Sequence, residues 1–325
     1  MRLRALVLIL PTLPALAHHG VASLGAAALE GPGAPVETST SATLPEGRWL
    51  AYLKVDHAVF RTYDPADATE ARSATYWLPG LGYGLRPWLS LYLFQPYNVK
   101  RDEPDGADSR GFADLNVTAV LGFKYDQGWR LIPAQQSLDD LMDWHFTAYA
   151  GATLPTGEAN HRVGDPPAID PGKALGFGKP ALSYGLTATK QLNDTLTLAL
   201  EAGQMRFREY RYDDGQSMRF GTETRANAAL VRRLYLQPQA RLRLDGNVEL
   251  NFLRLTRDVE NGTKATATGG DILYGVLGLR LYKDALSLAL AVKRPIWTRL
   301  NEEDQQQGAE GKERLRTLLT LSTLF

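Results

Sequence analysis

Period-two alternation of apolar and polar residues, repeated run after run with no amphipathic helix in between, is the feature that most constrains this chain. In residues 240–257, Leu242, Leu244, Gly246, Val248, Leu250 and Phe252 share one face, and Arg241, Arg243, Asp245, Asn247, Glu249 and Asn251 share the other. One such strand also fits a half-buried soluble sheet. Many in succession call for a barrel or a sandwich. The runs are 48–60, 71–85, 88–98, 112–125, 144–154, 178–190, 195–210, 218–234, 240–257, 271–282, 285–297 and 313–325. Most reach the roughly 9–11 residues that a tilted membrane-spanning strand needs.

The last run stops on Phe325 in mid-alternation. Such a strand needs a partner on both edges, and closure onto the first strand supplies the second one. Leu315, Leu319, Leu321 and Phe325 are then expected to face lipid, with Arg316, Thr320 and Ser322 facing the lumen. Short connections at 86–87, 192–194, 237–239 and 283–284 alternate with long polar ones at 61–70, 100–111, 155–177, 211–217, 258–270 and 298–312. Outer-membrane barrels alternate in this way, with short periplasmic turns and long extracellular loops. The exception is 126–143, a long connection where a short one is due, with one helical turn expected at 138–142. Aromatic residues such as Trp49, Trp88, Tyr125, Trp144, Tyr282 and Trp297 gather near strand ends, as interfacial girdles do. The expected fold is all-β: a transmembrane antiparallel β-barrel of about twelve strands, with a soluble exported β-protein as the competing reading.

The N-terminus reads as an export address. Met1-Arg2-Leu3-Arg4 is basic, residues 5–16 are apolar, and Ala15-Leu16-Ala17 is a cleavage site. The apolar run falls short of the ~20 residues that span a bilayer as a helix. Residues 1–17 are therefore expected to be a signal peptide, 18–47 an irregular segment that could plug a lumen, and 48–325 the barrel. The chain lacks cysteine, and its 36 basic residues match its 36 acidic ones, so no nucleic-acid partner is suggested. A mean hydropathy of −0.25 is too polar for a helical membrane protein. It suits a barrel, where only every second residue meets lipid.

The predicted lumen face gathers Lys54, Asp56, Asp114, Glu201, Arg219, Glu223, Arg225, Arg241, Arg243, Asp245, Glu249, Lys293 and Arg316, with the aromatic residues Tyr76, Tyr92, Phe94 and Tyr149 and the lone His145. Charges of both signs can hold a narrow barrel together or select what passes through it. After cleavage His18 would carry a free amine beside His19, a set that can hold Cu(II) or Ni(II), although a mobile terminus without a ligand is the plainer reading. No G-x-S-x-G element and no Ser/His spacing points to hydrolysis. No catalytic residue and no cofactor is assigned.

Several short motifs together resemble a family. They are His18-His19-Gly20, Thr43-Leu44-Pro45-Glu46-Gly47, Tyr83-Gly84-Leu85, Gly111-Phe112-Ala113-Asp114-Leu115, Leu154-Pro155-Thr156-Gly157-Glu158 and the terminal Phe325. In order and spacing they resemble the outer-membrane barrels labelled "MetA-pathway of phenol degradation", or simply transporter. The resemblance implies an outer-membrane channel passing small hydrophobic or aromatic compounds, and some relatives are associated with metal efflux. Phe325 also resembles the C-terminal signal read by the barrel-assembly machinery. Two other readings stay open: a plugged structural or metal-resistance barrel, and a barrel lipase or protease. The sequence leaves the oligomeric state open.

Overall fold

The structure is a computed structural model that describes residues 33–61, 71–102, 108–134, 142–302 and 313–325. The barrel strands are β1 (Trp49–Phe60), β2 (Ala71–Arg86), β3 (Leu89–Phe94, continuing as Tyr97–Asp102), β4 (Ser109–Phe112, continuing as Leu115–Tyr125), β5 (Trp144–Leu154) and β6 (Ala181–Asn193). They continue with β7 (Leu196–Arg206), β8 (Glu223–Gln237), β9 (Leu242–Leu255), β10 (Gly270–Lys283), β11 (Leu286–Leu300) and β12 (Glu313–Leu324). Each pairs antiparallel with its neighbours in chain order.

The sheet closes where expected. β12 pairs with β1 from Leu50 opposite Leu324 to Val59 opposite Leu315. The Trp49 and Phe325 main chains exchange hydrogen bonds of 2.8 and 2.9 Å at the end of that seam. Closure leaves neither β1 nor β12 with a free edge, which is what a sheet in hydrocarbon requires.

Alternation then assigns the faces. Leu50, Tyr52, Lys54, Asp56, Ala58 and Phe60 of β1 are buried inside. The outer face exposes Leu277, Val248, Leu186, Leu290 and many similar side chains, with Leu277 65% exposed. A continuous apolar surface of this kind fits lipid and not water. Leu315, Leu319, Leu321 and Phe325 lie on it, while Arg316, Thr320 and Ser322 are buried on the lumen side. Aromatic pairs edge the apolar band. Trp49 lies 4.6 Å from Tyr83 near the short-turn end, and Tyr97 lies 5.3 Å from Phe112 toward the other end.

Local chemistry explains the short turns. The Asn193 side chain accepts from the N–H groups of Thr195 and Leu196 and folds the link between β6 and β7. Between β8 and β9, Pro238–Ala240 forms a short 3-10 turn that ends at Arg241 in the left-handed region (φ 47°). The 126–143 connection begins with Trp129–Leu131 folding back onto β4. The helical turn expected at 138–142 lies almost wholly outside the described residues. At the long-loop end, Tyr210–Arg211, Ser217–Arg219, Val259–Glu260 and Thr263–Lys264 form a separate four-stranded sheet.

The lipid-facing assignment has a direct test. Leu277→Arg places a charge in the middle of the apolar band and is expected to cost about 2–4 kcal/mol of folding stability in lipid vesicles. Unchanged stability on denaturant titration would mean that this face does not meet hydrocarbon.

Candidate functional site: the charged lumen and its inserted segment

The lumen wall carries its charges as pairs. Arg316 on β12 donates to Asp56 on β1 at 3.0 Å and to Glu313 at 2.6 Å, all three nearly fully buried. Arg225 meets Glu223 at 2.7 Å on β8, and Arg243 meets Asp245 at 2.6 Å on β9. Period-two spacing makes these last two pairs: residues two apart on a strand share a face.

Residues 33–44 lie inside this wall, and their backbone is hydrogen-bonded to wall side chains. Glu249 on β9 accepts from the N–H groups of Val36 (2.9 Å), Glu37 (3.1 Å) and Thr38 (2.7 Å), and from the Thr38 hydroxyl (2.6 Å). Glu201 on β7 accepts from Ser39 N–H at 2.9 Å, and Asp245 from Gly33 N–H at 3.0 Å. Arg280 on β10 donates to the Pro35 carbonyl at 2.8 Å. Ser41 N–H donates to Thr189 on β6, and Leu44 N–H to Ser90 on β3. The Glu37 carboxylate is clasped between Lys54 on β1 and Lys293 on β11, the latter at 2.7 Å. Val36 packs on Val276, Ala289, Ala291 and Leu318, an apolar patch of the wall.

The segment then leaves the lumen over β2. A Cβ on Gly84 would sit 2.1 Å from the Pro45 carbonyl oxygen, and one on Gly82 would strike Tyr92 and Leu44. Glycine on this face lets the chain pass close to the wall. Its path begins near Asp245 and Thr197, rises to Glu37, and returns to Pro45. It therefore forms a loop inserted from the short-turn end. A cavity of about 350 Å3 lies beside it, bordered by Thr40, Thr43, His145, Thr189 and Arg243.

A loop from the opposite end folds inward. Lys100 on β3 donates to the carbonyls of Ala174 (2.6 Å) and Gly172 (3.3 Å). Asp114, at the break in β4, accepts from Gly157 N–H at 2.8 Å and Phe177 N–H at 2.7 Å. Pro171–Phe177 are buried as a result. Between the two inserted pieces the wall turns apolar, with Ala58, Phe60, Ala74 and Tyr76 on β1 and β2 and Leu253, Leu255, Ile272 and Tyr274 on β9 and β10.

Most expected lumen residues face inward. Lys54, Asp56, Tyr76, Tyr92, Phe94, Tyr149, Glu201, Glu223, Asp245, Glu249, Lys293 and Arg316 are buried there. Arg225 and Arg243 are paired there, and His145 borders the cavity. Asp114 sits at the long-loop rim and not on the spanning wall. Two expectations need correction. Arg219 is exposed and belongs to the separate sheet, opposite Val259. The Gly221 N–H turns to Asp258 at 2.6 Å, so the ladder of β8 starts only at Glu223. Arg241 lies in the short turn with its side chain 79% exposed near Asp284, because the left-handed residue precedes β9. His18 and His19 lie outside the described residues.

Glu37, Arg280 and Glu313 were missed. Alternation along 271–282 puts Arg280 on the face of Tyr274 and Val276 and could have found it. Nothing periodic marks Glu37. Among the described residues no group of three or more histidine or acidic side chains is placed to hold a metal ion.

No protein-family model and no curated protein matches the chain. Among solved structures it is similar to an outer-membrane channel from Pseudomonas putida F1, at 15% identity and TM-score 0.66, over 90% of this chain and 100% of that one. It is more distantly similar to the β domain of the Bordetella autotransporter Brka, at 11% identity and TM-score 0.44, over 86% of this chain and 99% of that one. For the NanC porin the values are 7%, 0.40, 84% and 98%. At 15% identity the likeness to the Pseudomonas putida channel establishes the barrel fold alone. It does not extend to the phenol-degradation family that the motifs resemble.

The inward loop has a pH signature. Burial pushes the Asp114 carboxyl from 3.8 up to about 6, against the lowering pull of the Phe177 and Gly157 N–H groups. A docked loop thus binds a proton more tightly than a released one. Docking gains as pH falls from about 6 toward 3.8 and loses that gain as pH rises through 6. Burial raises the Asp170 carboxyl in the same loop too. Amide exchange in residues 155–180, corrected for intrinsic rates, is expected to slow between pH 7 and pH 5, with Asp114→Asn flattening most of the change. A pH dependence unaltered in that variant would contradict the assignment.

Proposed function

We propose that this protein is a bacterial outer-membrane channel for small molecules, shut at rest by residues 33–44 inside its lumen. The observation that carries this reading is the clasp of that segment by Glu249, Glu201, Arg280, Lys54 and Lys293, side chains of the barrel wall. The wall is complete without the segment: closure comes from the β1–β12 seam. A segment that the sheet does not need for closure, yet that fills its interior, is suited to control passage. The apolar outer face supports residence in lipid, and an outer-membrane address accords with the N-terminal export pattern.

Small hydrophobic or aromatic compounds are the cargo that best fits the apolar lining between the two inserted pieces. Movement down a gradient needs no cofactor. Phe325 ends the closing strand at the membrane edge, where the barrel-assembly machinery would read it. A purely structural barrel is the second reading. The cross-seam pairing of Arg316 with Asp56 favours it, since that pair ties the wall together whether or not anything passes.

Planar-bilayer recording separates the two. A variant lacking residues 20–43 is expected to conduct several-fold more than the intact protein, and cells carrying it should take up aromatic compounds faster. No conductance from either protein would remove the channel reading, and equal conductance of the two would remove the segment's role in closing it.

A further inference from the structure

Two buried ammonium groups in this lumen form their ion pairs, among the described residues, with the inserted segment. Lys54 and Lys293 are each 5% exposed. Both bind the Glu37 carboxylate, one at each oxygen: Lys54 takes Oε1 and Lys293 takes Oε2. The neighbouring cations are matched differently. Arg316 is held by Asp56 and Glu313, and Arg225 by Glu223, all of them wall residues. Asp56 lies near enough to act on both lysines, but Arg316 holds one of its two oxygens and neither ammonium is hydrogen-bonded to it. When the segment leaves, Lys54 and Lys293 lose the carboxylate they share and face the vacated lumen as two adjacent cations. The open lumen then holds a two-point anion receptor whose geometry one carboxylate already satisfies.

The surroundings specify the rest of the ligand. The Lys293 ammonium lies 4.6 Å from the Tyr274 ring centroid. Tyr274 belongs to an apolar patch with Leu253, Leu255 and Ile272. A strand residue two steps from Asp56 is Ala58, so the β1 side also becomes apolar beyond the charges. The site thus offers two cations at one level and an apolar wall next to it, toward the long-loop end.

The geometry points to a binding site for small organic carboxylates with an aromatic or apolar body, in which the Glu37 side chain is a tethered stand-in for the ligand's carboxylate. The inference rests on the channel reading for its purpose and narrows that channel's cargo to anions. It makes the cargo itself a competitor of the inserted segment: an arriving carboxylate replaces Glu37 at Lys54 and Lys293 as the segment withdraws. No bond is made or broken, and only the ion-pair partner changes.

Calorimetric titration of the purified barrel in detergent with benzoate tests this. Glu37→Ala is expected to bind benzoate at least ten-fold more tightly than the intact protein, because the tethered competitor is gone. Adding Lys54→Met and Lys293→Met to that variant should abolish the gain, and neutral benzamide should not show it. Should Glu37→Ala not fold, Glu37→Gln keeps the side chain's volume and serves in its place. Equal benzoate affinity with and without the Glu37 carboxylate, or a gain that survives loss of both lysines, would overturn the site. The measurement is independent of conduction. A barrel that binds benzoate but passes no current keeps the site and loses the channel reading; one that conducts without binding does the reverse.

Discussion

One carboxylate, that of Glu249, makes the interior of this barrel possible as it stands. A chain segment placed in a lumen has no sheet to join, yet its N–H groups need acceptors, and each buried one left unmet costs about 1–3 kcal/mol. Glu249 accepts from three consecutive N–H groups and a hydroxyl of the segment, and also from the Asn247 amide at 2.6 Å. Charge-assisted acceptors of this kind are about twice as strong as neutral ones. Those donors in turn supply the opposite partial charge that a buried carboxylate requires. The segment and the wall therefore satisfy each other while the lumen is filled: the N–H groups have an acceptor and the acid has donors.

The same logic orders the remaining charges. Pairs fixed within the wall, such as Arg316 with Asp56 and Glu313, stay satisfied whatever the segment does. Contacts between wall and segment, at Glu249, Glu201, Arg280, Lys54 and Lys293, exist only while the segment is in place. This division gives the barrel a permanent frame and a removable occupant. Charged and polar contacts suit a reversible latch, because water can take over each of them on release. The apolar share of the interface is small, with Val36 and Leu44 the main buried anchors.

Much of this was legible in the sequence because a strand's two faces are set by a period of two. Register along 240–257 placed Asp245 and Glu249 inside and Val248 and Leu250 outside without any knowledge of tertiary contacts. The rule failed where the backbone leaves the ladder. Arg241 follows a 3-10 turn, and Arg219 precedes the turned-out N–H of Gly221, so counting in twos across either point carries the wrong face forward. The resemblance motifs make spatial sense as well. Asp114 bonds Gly157, and Leu44 and Pro45 pack against Gly82 and Gly84, so segments far apart in sequence meet in pairs. The role of Glu37 was illegible. It stands in an aperiodic stretch, and its significance comes wholly from two lysines 17 and 256 residues away.

The central claim is that residues 33–44 occupy the lumen and control it. The chain has no cysteine, so an introduced pair is the only thiol pair present. Thr38 on the segment and Asn251 on β9 already touch, at 3.2 Å between side-chain atoms. In Thr38→Cys/Asn251→Cys, a disulfide is expected to form under mild oxidation and to lock conductance low, with reduction restoring the level of the unmodified protein. Failure of the two thiols to cross-link, or conductance indifferent to oxidation and reduction once they have, would contradict the account.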